Sequence, residues 1–273
     1  MSAITVPLKR VVCRRLPSFW RFLVYRGWAV DNKWTELPDT KFDNYLKEDH
    51  PDRRWFVDWV ISMAPVSVLE IGGGSLHELR QFHRKEALGK VSYTVLDAAK
   101  NFLKRGKIEF PSVKFVEGTV NKMKFADSSF DIVYCRAVLE HQPYYERPLK
   151  EMFRVSKDLV VVNLFRWSHG EDWIRQGKYF SNAYNINKFL RMFASLSSNW
   201  RNFLVLRGRE PGPNIYEDDN IRRTGDHLVV VGSKHDTVDI DKCLAIFDAQ
   251  GTIFKAQPYT IHGLTESEAR VSR

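Results

Sequence analysis

Three glycines follow an acid in Glu70-Ile71-Gly72-Gly73-Gly74-Ser75. They stand where a short apolar run ends and a helical pattern opens. Glycine at such a point lets the main chain turn sharply and lets a ligand lie against it. The first N–H groups of the following helix are left to meet a polar or anionic part of that ligand. Taken alone, the segment is equally well a plain strand-to-helix turn. A second acid, Asp97, closes the next apolar run, 23 residues after Gly74. A carboxylate in that place accepts both hydroxyls of a ribose, or caps the helix that follows, and the two roles are compatible. Two such features in consecutive turns predict a nucleoside-containing ligand. A nicotinamide dinucleotide fits poorly, because His77 stands where the third glycine of G-x-G-x-x-G belongs.

These residues need a frame. Apolar runs at Val66–Ile71, Val91–Leu96, Val113–Val116, Phe130–Cys135 and Leu159–Leu164 read as strands. Helical patterns lie between or beside them, at Arg53–Met63, Leu76–Lys85, around Phe102-Leu103, at Tyr145–Val155 and at Ile186–Leu196. Strands alternating with helices at this spacing predict an α/β fold built on a parallel sheet. Two further strands, Phe203–Leu206 and His227–Val231, lie close in sequence and predict an antiparallel pair at the sheet edge. The chain divides accordingly into an extension (1–52), a central α/β domain (53–235) and a peripheral tail (236–273).

Composition narrows the classes. The chain has 273 residues, 44% of them apolar and 13% aromatic, which is ample for a packed core and excludes a disordered chain. No run approaches 18 uninterrupted apolar residues, so a spanning helix is not expected. Cys13, Cys135 and Cys243 are scattered, with no Cys/His ligand spacing, so neither a disulfide framework nor a metal site is expected. The reading is a soluble, cytoplasmic protein; a transit peptide at the Arg-rich start is the alternative. The net charge is +9, and residues 1–30 carry +6 of it through Lys9, Arg10, Arg14, Arg15, Arg21 and Arg26 with no acid. Subtracting that +6 from +9 leaves +3 on the rest, so the basicity belongs to one end.

The chain resembles the class I S-adenosylmethionine-dependent methyltransferases over about residues 53–165. The resemblance is carried by Val68-Leu69-Glu70-Ile71-Gly72-Gly73-Gly74, by Tyr93-Thr94-Val95-Leu96-Asp97, by the segment Glu117–Val133, by Ala137-Val138-Leu139-Glu140-His141 and by Leu149–Val155. It implies a Rossmann-like seven-stranded, mostly parallel sheet with helices on both faces and one antiparallel strand near the edge. It implies S-adenosyl-L-methionine as cofactor. Glu70 would meet the methionine amino group, and Gly72, Gly73 and Gly74 would line the methionine and ribose side. Asp97 would hold the ribose hydroxyls, Ala98 would touch the adenine, and Thr119 and Val120 would lie at the adenine edge. Cys135 and Arg136 would flank the methionine part and the transfer centre. The sequence departs from the family at Thr119, where an acid is frequent, at Lys124, where proline is frequent, and at Leu76, where a third glycine is usual.

On that reading His141 is the candidate general base, since it follows the fourth strand and imidazole titrates near neutrality. Its other reading is a cap or brace for the local loop. Glu140 would orient His141 or be solvated. Tyr144 and Tyr145 would wall the acceptor pocket or simply pack, and His169 is a second base candidate. Trp173, Tyr179, Phe180 and Tyr184 would form an aromatic lid over the acceptor, or ordinary packing. The acceptor is expected to be a small molecule or a glycan, attacked through oxygen, with no metal. The basic residues 1–30 would pack on the core, rest on an anionic membrane surface or bind RNA. The last two leave open a membrane-peripheral location, or an RNA or protein methyltransferase docking through that arm. A non-catalytic cofactor-binding protein of the same fold is the remaining alternative.

Overall fold

The computed structural model describes residues 51–168, 170–172, 180–196, 202–209, 215–218 and 221–233, together with Phe19, Phe22 and Leu23. The remainder of the expected extension and the whole expected tail lie outside the described residues. Helix α1 spans Pro51–Met63, starting on a proline whose missing N–H costs nothing at a first helical position. Then come β1 (Val66–Ile71), α2 (His77–Arg84), β2 (Val91–Asp97), α3 (Lys100–Glu109) and β3 (Lys114–Glu117). β4 (Phe130–Arg136) leads through a single 3₁₀ turn, Leu139–His141, to α4 (Glu146–Val155) and β5 (Ser156–Ser168). After these lie β6 (Tyr184–Asn185), α5 (Ile186–Leu196), β7 (Asn202–Arg209), β8 (Ile215–Asp218) and β9 (Ile221–Ser233).

The seven main strands are ordered β3-β2-β1-β4-β5-β9-β7, with the short β6 attached to β5 and β8 to β9. β1 to β5 run parallel, and β9 is antiparallel to both β5 and β7. The expected architecture is therefore present, including the β7–β9 antiparallel pair. The order reverses at β1, so β2 and β4 flank it and a crevice opens at their C-terminal ends, the usual ligand position in such sheets.

Both faces of the sheet are covered, so the strands alternate between two cores rather than between core and water. Val68, Tyr93, Val95, Ile132, Tyr134, Leu159 and Val161 face the first core, beside Trp55, Phe56, Val57 and Val60 of α1, Phe82 of α2 and Phe102 of α3. Leu69, Ile71, Leu96, Val133, Cys135, Val160 and Val162 face the second, beside Leu149 and Met152 of α4 and Phe189 and Phe193 of α5. α1 is buried more widely than the one-sided pattern predicts, with Trp55 and Trp59 also enclosed and their rings stacked at 5.2 Å.

Some boundaries differ from expectation. β3 begins at Lys114, because the Val113 N–H closes a turn onto Phe110 O at 3.0 Å. β5 runs 13 residues rather than six: Ser156 Oγ donates to Leu159 O at its start, and the equally long β9 pairs with it out to Ser168.

Candidate functional site

The site is built from four loops at the C-terminal ends of β1 to β4. The glycine turn follows β1. Gly72 has φ 72° and Gly74 φ 49°, left-handed values at which glycine pays no steric penalty. Gly72 N–H donates to Leu96 O at 2.7 Å, tying the turn to the end of β2. A Cβ on Gly72 would lie 2.3 Å from Val138 Cγ2, so the turn after β4 is pressed against the turn after β1. A Cβ on Gly74 would meet nothing nearer than 3.8 Å, which leaves open space on the face where a ligand can lie.

Leu76 also sits in the left-handed region, with φ 61° and ψ 35°, as the N-cap of α2. A leucine in this conformation costs about 1–2 kcal/mol. Its side chain is buried in the first core, reaching toward Gly73 and Gly106. The tertiary packing of a leucine thus holds a backbone that its own sterics disfavour.

Asp97 ties together the turns on either side of it. Oδ1 accepts the Ala99 N–H at 2.8 Å and Oδ2 accepts the Gly74 N–H at 3.0 Å; α3 itself starts from Ala99 with no side-chain cap, so the expected helix cap is not made. Each oxygen keeps a second lone pair for a ligand hydroxyl. Desolvation pushes this carboxyl up from its ordinary range, against the N–H groups of Ala99, Gly74 and Ala98 that hold it down. Gly118 N–H donates to Asp97 O at 3.0 Å, which brings the loop after β3 to the same edge. In that loop Thr119 is partly exposed and bridges to Lys122, while Val120 turns into the second core. Ala98 follows Asp97 and is partly exposed.

At the end of β4, Cys135 pairs with Ile71 of β1 and Val162 of β5 and is fully buried in the second core. Burial pushes its thiol well up, with Glu140 and Glu70 adding to it, so sulfur is held protonated. Arg136 is half-buried beside Asn163 of β5. Ala137 then takes a left-handed φ of 54° and donates its N–H to Asn163 O at 3.0 Å, which aims the 138–141 turn back over the sheet edge.

His141 Nδ1 lies 2.8 Å from Phe180 O. A carbonyl only accepts, so Nδ1 carries the hydrogen and the neutral ring has its lone pair on Nε2. The same turn grips the 180–184 segment three more times. Asn182 N–H donates to Glu140 O at 2.8 Å, Asn182 Nδ2 donates to Gln142 O at 2.6 Å, and Tyr184 Oη donates to Gln142 O. His141 is thus a brace for the segment that ends the aromatic insertion, whatever else it does.

Glu140 departs from both expectations. It neither orients His141 nor is solvated: it is fully buried, and its Oε1 accepts the Phe165 N–H at 2.7 Å. Oε2 has no hydrogen-bond partner. Burial raises this carboxyl to about 7, opposed by backbone N–H groups and by Arg166. Tyr145 packs, with its ring 4.7 Å from Tyr184 and 5.1 Å from Phe189, whereas Tyr144 is exposed. Phe180 and Tyr184 are buried; His169, Trp173 and Tyr179 lie outside the described residues.

A group that the sequence did not single out lies under the glycine turn. Glu70 Oε2 accepts the Tyr93 hydroxyl at 3.1 Å, and Glu78 Oε1 accepts the Tyr134 hydroxyl at 3.1 Å. Arg53 pairs with Glu78 Oε2 at 3.1 Å. Beyond Glu70, which the sequence had marked, the signal was a tyrosine within each of two largely apolar strands, β2 and β4.

Comparison with known proteins agrees with this geometry. Residues 69–161 match the family described as Methyltransferase domain. A sterol 24-C-methyltransferase of Aspergillus fumigatus is 31% identical over 106 residues, covering 37% of this chain and 28% of that protein. A phthiotriol/phenolphthiotriol dimycocerosates methyltransferase of Mycobacterium ulcerans is 27% identical over 162 residues, covering 54% and 58%. The chain therefore spans between about a quarter and three fifths of the length of these curated relatives. The crystal structure of Burkholderia thailandensis 1,6-didemethyltoxoflavin-N1-methyltransferase, with its substrate and S-adenosylhomocysteine bound, superposes with a TM-score of 0.50 at 13% identity, over 86% of this chain and 93% of that one.

The fold is the Rossmann-like α/β fold of the methyltransferases, with a crevice at the C-terminal ends of β1 to β4. Residues 69–161, about a third of the chain, match a methyltransferase domain, and the superposed structure holds S-adenosylhomocysteine, the demethylated product of S-adenosylmethionine. The residues present fit it. The open side of Gly74, the lone pairs of Asp97 and the carboxyl of Glu70 match its backbone-hugging, diol and ammonium parts in turn. Among the described residues no group of three or more His, Cys, Asp or Glu is placed to hold a metal ion. No helix among them is long and apolar enough to cross a membrane. The expected membrane or RNA contacts of residues 1–30 fall outside the described residues, apart from exposed Phe19 and Phe22 and buried Leu23.

Proposed function

We propose that the protein transfers a methyl group to a hydroxyl of a small-molecule or glycan acceptor, with His141 as the general base. The observation that carries this reading is the Nδ1 contact to Phe180 O, which places the basic lone pair on Nε2. S-adenosylmethionine, when bound, supplies a methyl already activated on a sulfonium. What the chain has to do is hold an acceptor oxygen in line and accept its proton. The 138–141 turn is in contact with the glycine turn through Val138 and Gly72, which supports a base next to the transfer centre. Glu70, the three glycines, Asp97, Ala98, Thr119, Val120, Cys135 and Arg136 are the proposed cofactor shell. Cys135 and Val120 would take part through main chain, since their side chains are in the core. The named acceptors of the relatives, a sterol and phthiotriol, support a small molecule over a macromolecule.

The test uses labelled S-adenosylmethionine and a panel of sterols, long-chain alcohols, phenols and sugars. With whichever acceptor is labelled, His141→Ala is expected to lower turnover by about 10²–10⁴-fold, with S-adenosylhomocysteine affinity changed by less than about threefold. Full turnover in His141→Ala overturns the base assignment; labelling confined to RNA or protein overturns the acceptor class.

A further inference from the structure

The five groups under the glycine turn form a closed arrangement. Glu70, on β1, and Glu78, in the first turn of α2, are both buried, with 3% and 2% of their surface exposed. They belong to one buried cluster, Glu70 accepting the Tyr93 hydroxyl and Glu78 the Tyr134 hydroxyl, and the charge of each disfavours ionisation of the other. Two buried carboxyls beside one guanidinium are held at least cost with one proton kept between the two. The guanidinium of Arg53 lies on Glu78 and not on Glu70. The Tyr134 hydroxyl also donates to Glu78. Both contacts favour the ionised form of Glu78 and leave the shared proton on Glu70. Glu70 in turn lies directly beneath the turn, with Oε2 3.3 Å from where a Cβ of Gly73 would be.

Among the described residues, the titratable and charged groups facing Glu70 come from four elements. They are Arg53 from α1, Glu78 from α2, Tyr93 from β2, and Tyr134 and Cys135 from β4. Among the described residues one positive charge, Arg53, faces the two carboxyls, and one retained proton balances the cluster. The direction of the Glu70 titration agrees: burial first and the charge of Glu78 second hold its carboxyl well above the usual range, against the Tyr93 hydroxyl and Arg53.

We infer that Glu78, fixed by Arg53 and Tyr134, keeps Glu70 protonated in the empty site, and that the arriving cofactor ammonium takes the place of that proton. The inference rests on the cofactor reading given above. The balance is simple: the Glu70 carboxylic acid loses its proton to solvent, and the carboxylate formed pairs with the ammonium, directly or through one water. Nothing is oxidised and no covalent bond other than O–H is broken. Glu78 and Arg53 are thereby positioning residues for the cofactor, and the first turn of α1 joins the cofactor site without touching it.

The test is calorimetry on the full chain, titrating S-adenosylhomocysteine between pH 6 and 8 in buffers of different ionisation enthalpy. The dependence of heat on buffer gives the number of protons released. Release approaching about one proton per ligand is expected at the lower end of that range, falling as pH rises. 5′-Methylthioadenosine, which lacks the amino-acid part, is expected to bind with almost no proton release. Glu78→Gln is expected to reduce the release seen with S-adenosylhomocysteine to less than about half; Tyr134→Phe, a smaller change to the same shell, moves it the same way. The inference is overturned if S-adenosylhomocysteine binds with no proton exchange across this range, if both ligands release equally, or if Glu78→Gln leaves the release unchanged. The wild-type comparison of two ligands decides the matter even where Glu78→Gln does not fold. Failure of both ligands to bind overturns the cofactor reading itself, and the inference with it.

Discussion

Gly72→Ala is the substitution whose consequences follow most directly from the structure. Two costs arise. Alanine must adopt the left-handed φ of 72°, at about 1–2 kcal/mol. Its methyl must also occupy a point 2.3 Å from Val138 Cγ2, and valine is stiff about χ1 and cannot simply swing aside. Forcing a methyl into a packed site costs about 1–3 kcal/mol. The sum is about 2–5 kcal/mol. The second part disappears if Val138 is first cut back to alanine, so Gly72→Ala should cost only about 1–2 kcal/mol in a Val138→Ala background. Urea unfolding of the four proteins, followed by tryptophan fluorescence, measures the cycle. Relieving the overlap moves the 138–141 turn by about 1 Å, and a misplacement of that size is expected to cost turnover about 100-fold. The double variant should recover much of it. Equal costs of Gly72→Ala in the two backgrounds, within about 0.5 kcal/mol, would refute the contact between these turns.

Three further outcomes are expected. The Glu140 carboxyl is raised by burial from 4.5 to about 7, so the folded state holds a proton that the unfolded chain releases first. Its contribution is therefore fully present below about pH 4.5 and is lost as pH rises through about 7, a loss of about 3 kcal/mol. Glu140→Gln should flatten that part of the stability profile, as measured by denaturant titrations at pH 5, 6, 7 and 8; an unchanged slope contradicts the assignment. Leu76→Gly relieves about 1–2 kcal/mol of left-handed strain but empties a buried leucine site worth about 2–5 kcal/mol. A net loss of about 1–3 kcal/mol is expected in thermal unfolding, and a gain in stability would show that the leucine packing is not what holds this turn. His141→Ala should also weaken the hold on the 180–184 segment, seen as faster amide exchange at Asn182.

How far the site was legible depended on what each residue does locally. The glycine turn and Asp97 could be read because turn geometry and strand ends impose residue types along the chain. The two-core alternation of β1, β4 and β5 made their apolar runs continuous, so the strands themselves stood out. β5 and β9 were read too short because their outer halves are held by each other and carry polar residues that no local pattern marks as strand. Glu140 was misread because burial of a single acid among apolar neighbours is decided by tertiary packing, here by the Phe165 N–H brought in from β5. Leu76 shows the same in the backbone: its left-handed conformation, which the residue type does not suggest, is supported by the packing of the leucine side chain. The Glu70–Glu78–Arg53 cluster joins residues 53, 70, 78, 93 and 134, and only the folded sheet brings them together.

The central claim is that these four loops hold S-adenosylmethionine. Equilibrium binding of S-adenosylhomocysteine to the wild-type chain and to Asp97→Ala, both confirmed folded by circular dichroism, tests it most directly. The account predicts one bound ligand per chain and at least a tenfold weaker affinity for Asp97→Ala, since each charge-assisted hydrogen bond to a ribose hydroxyl is worth about 1.5–3 kcal/mol. Absence of binding to the folded wild type, or equal affinity in the two proteins, would contradict it.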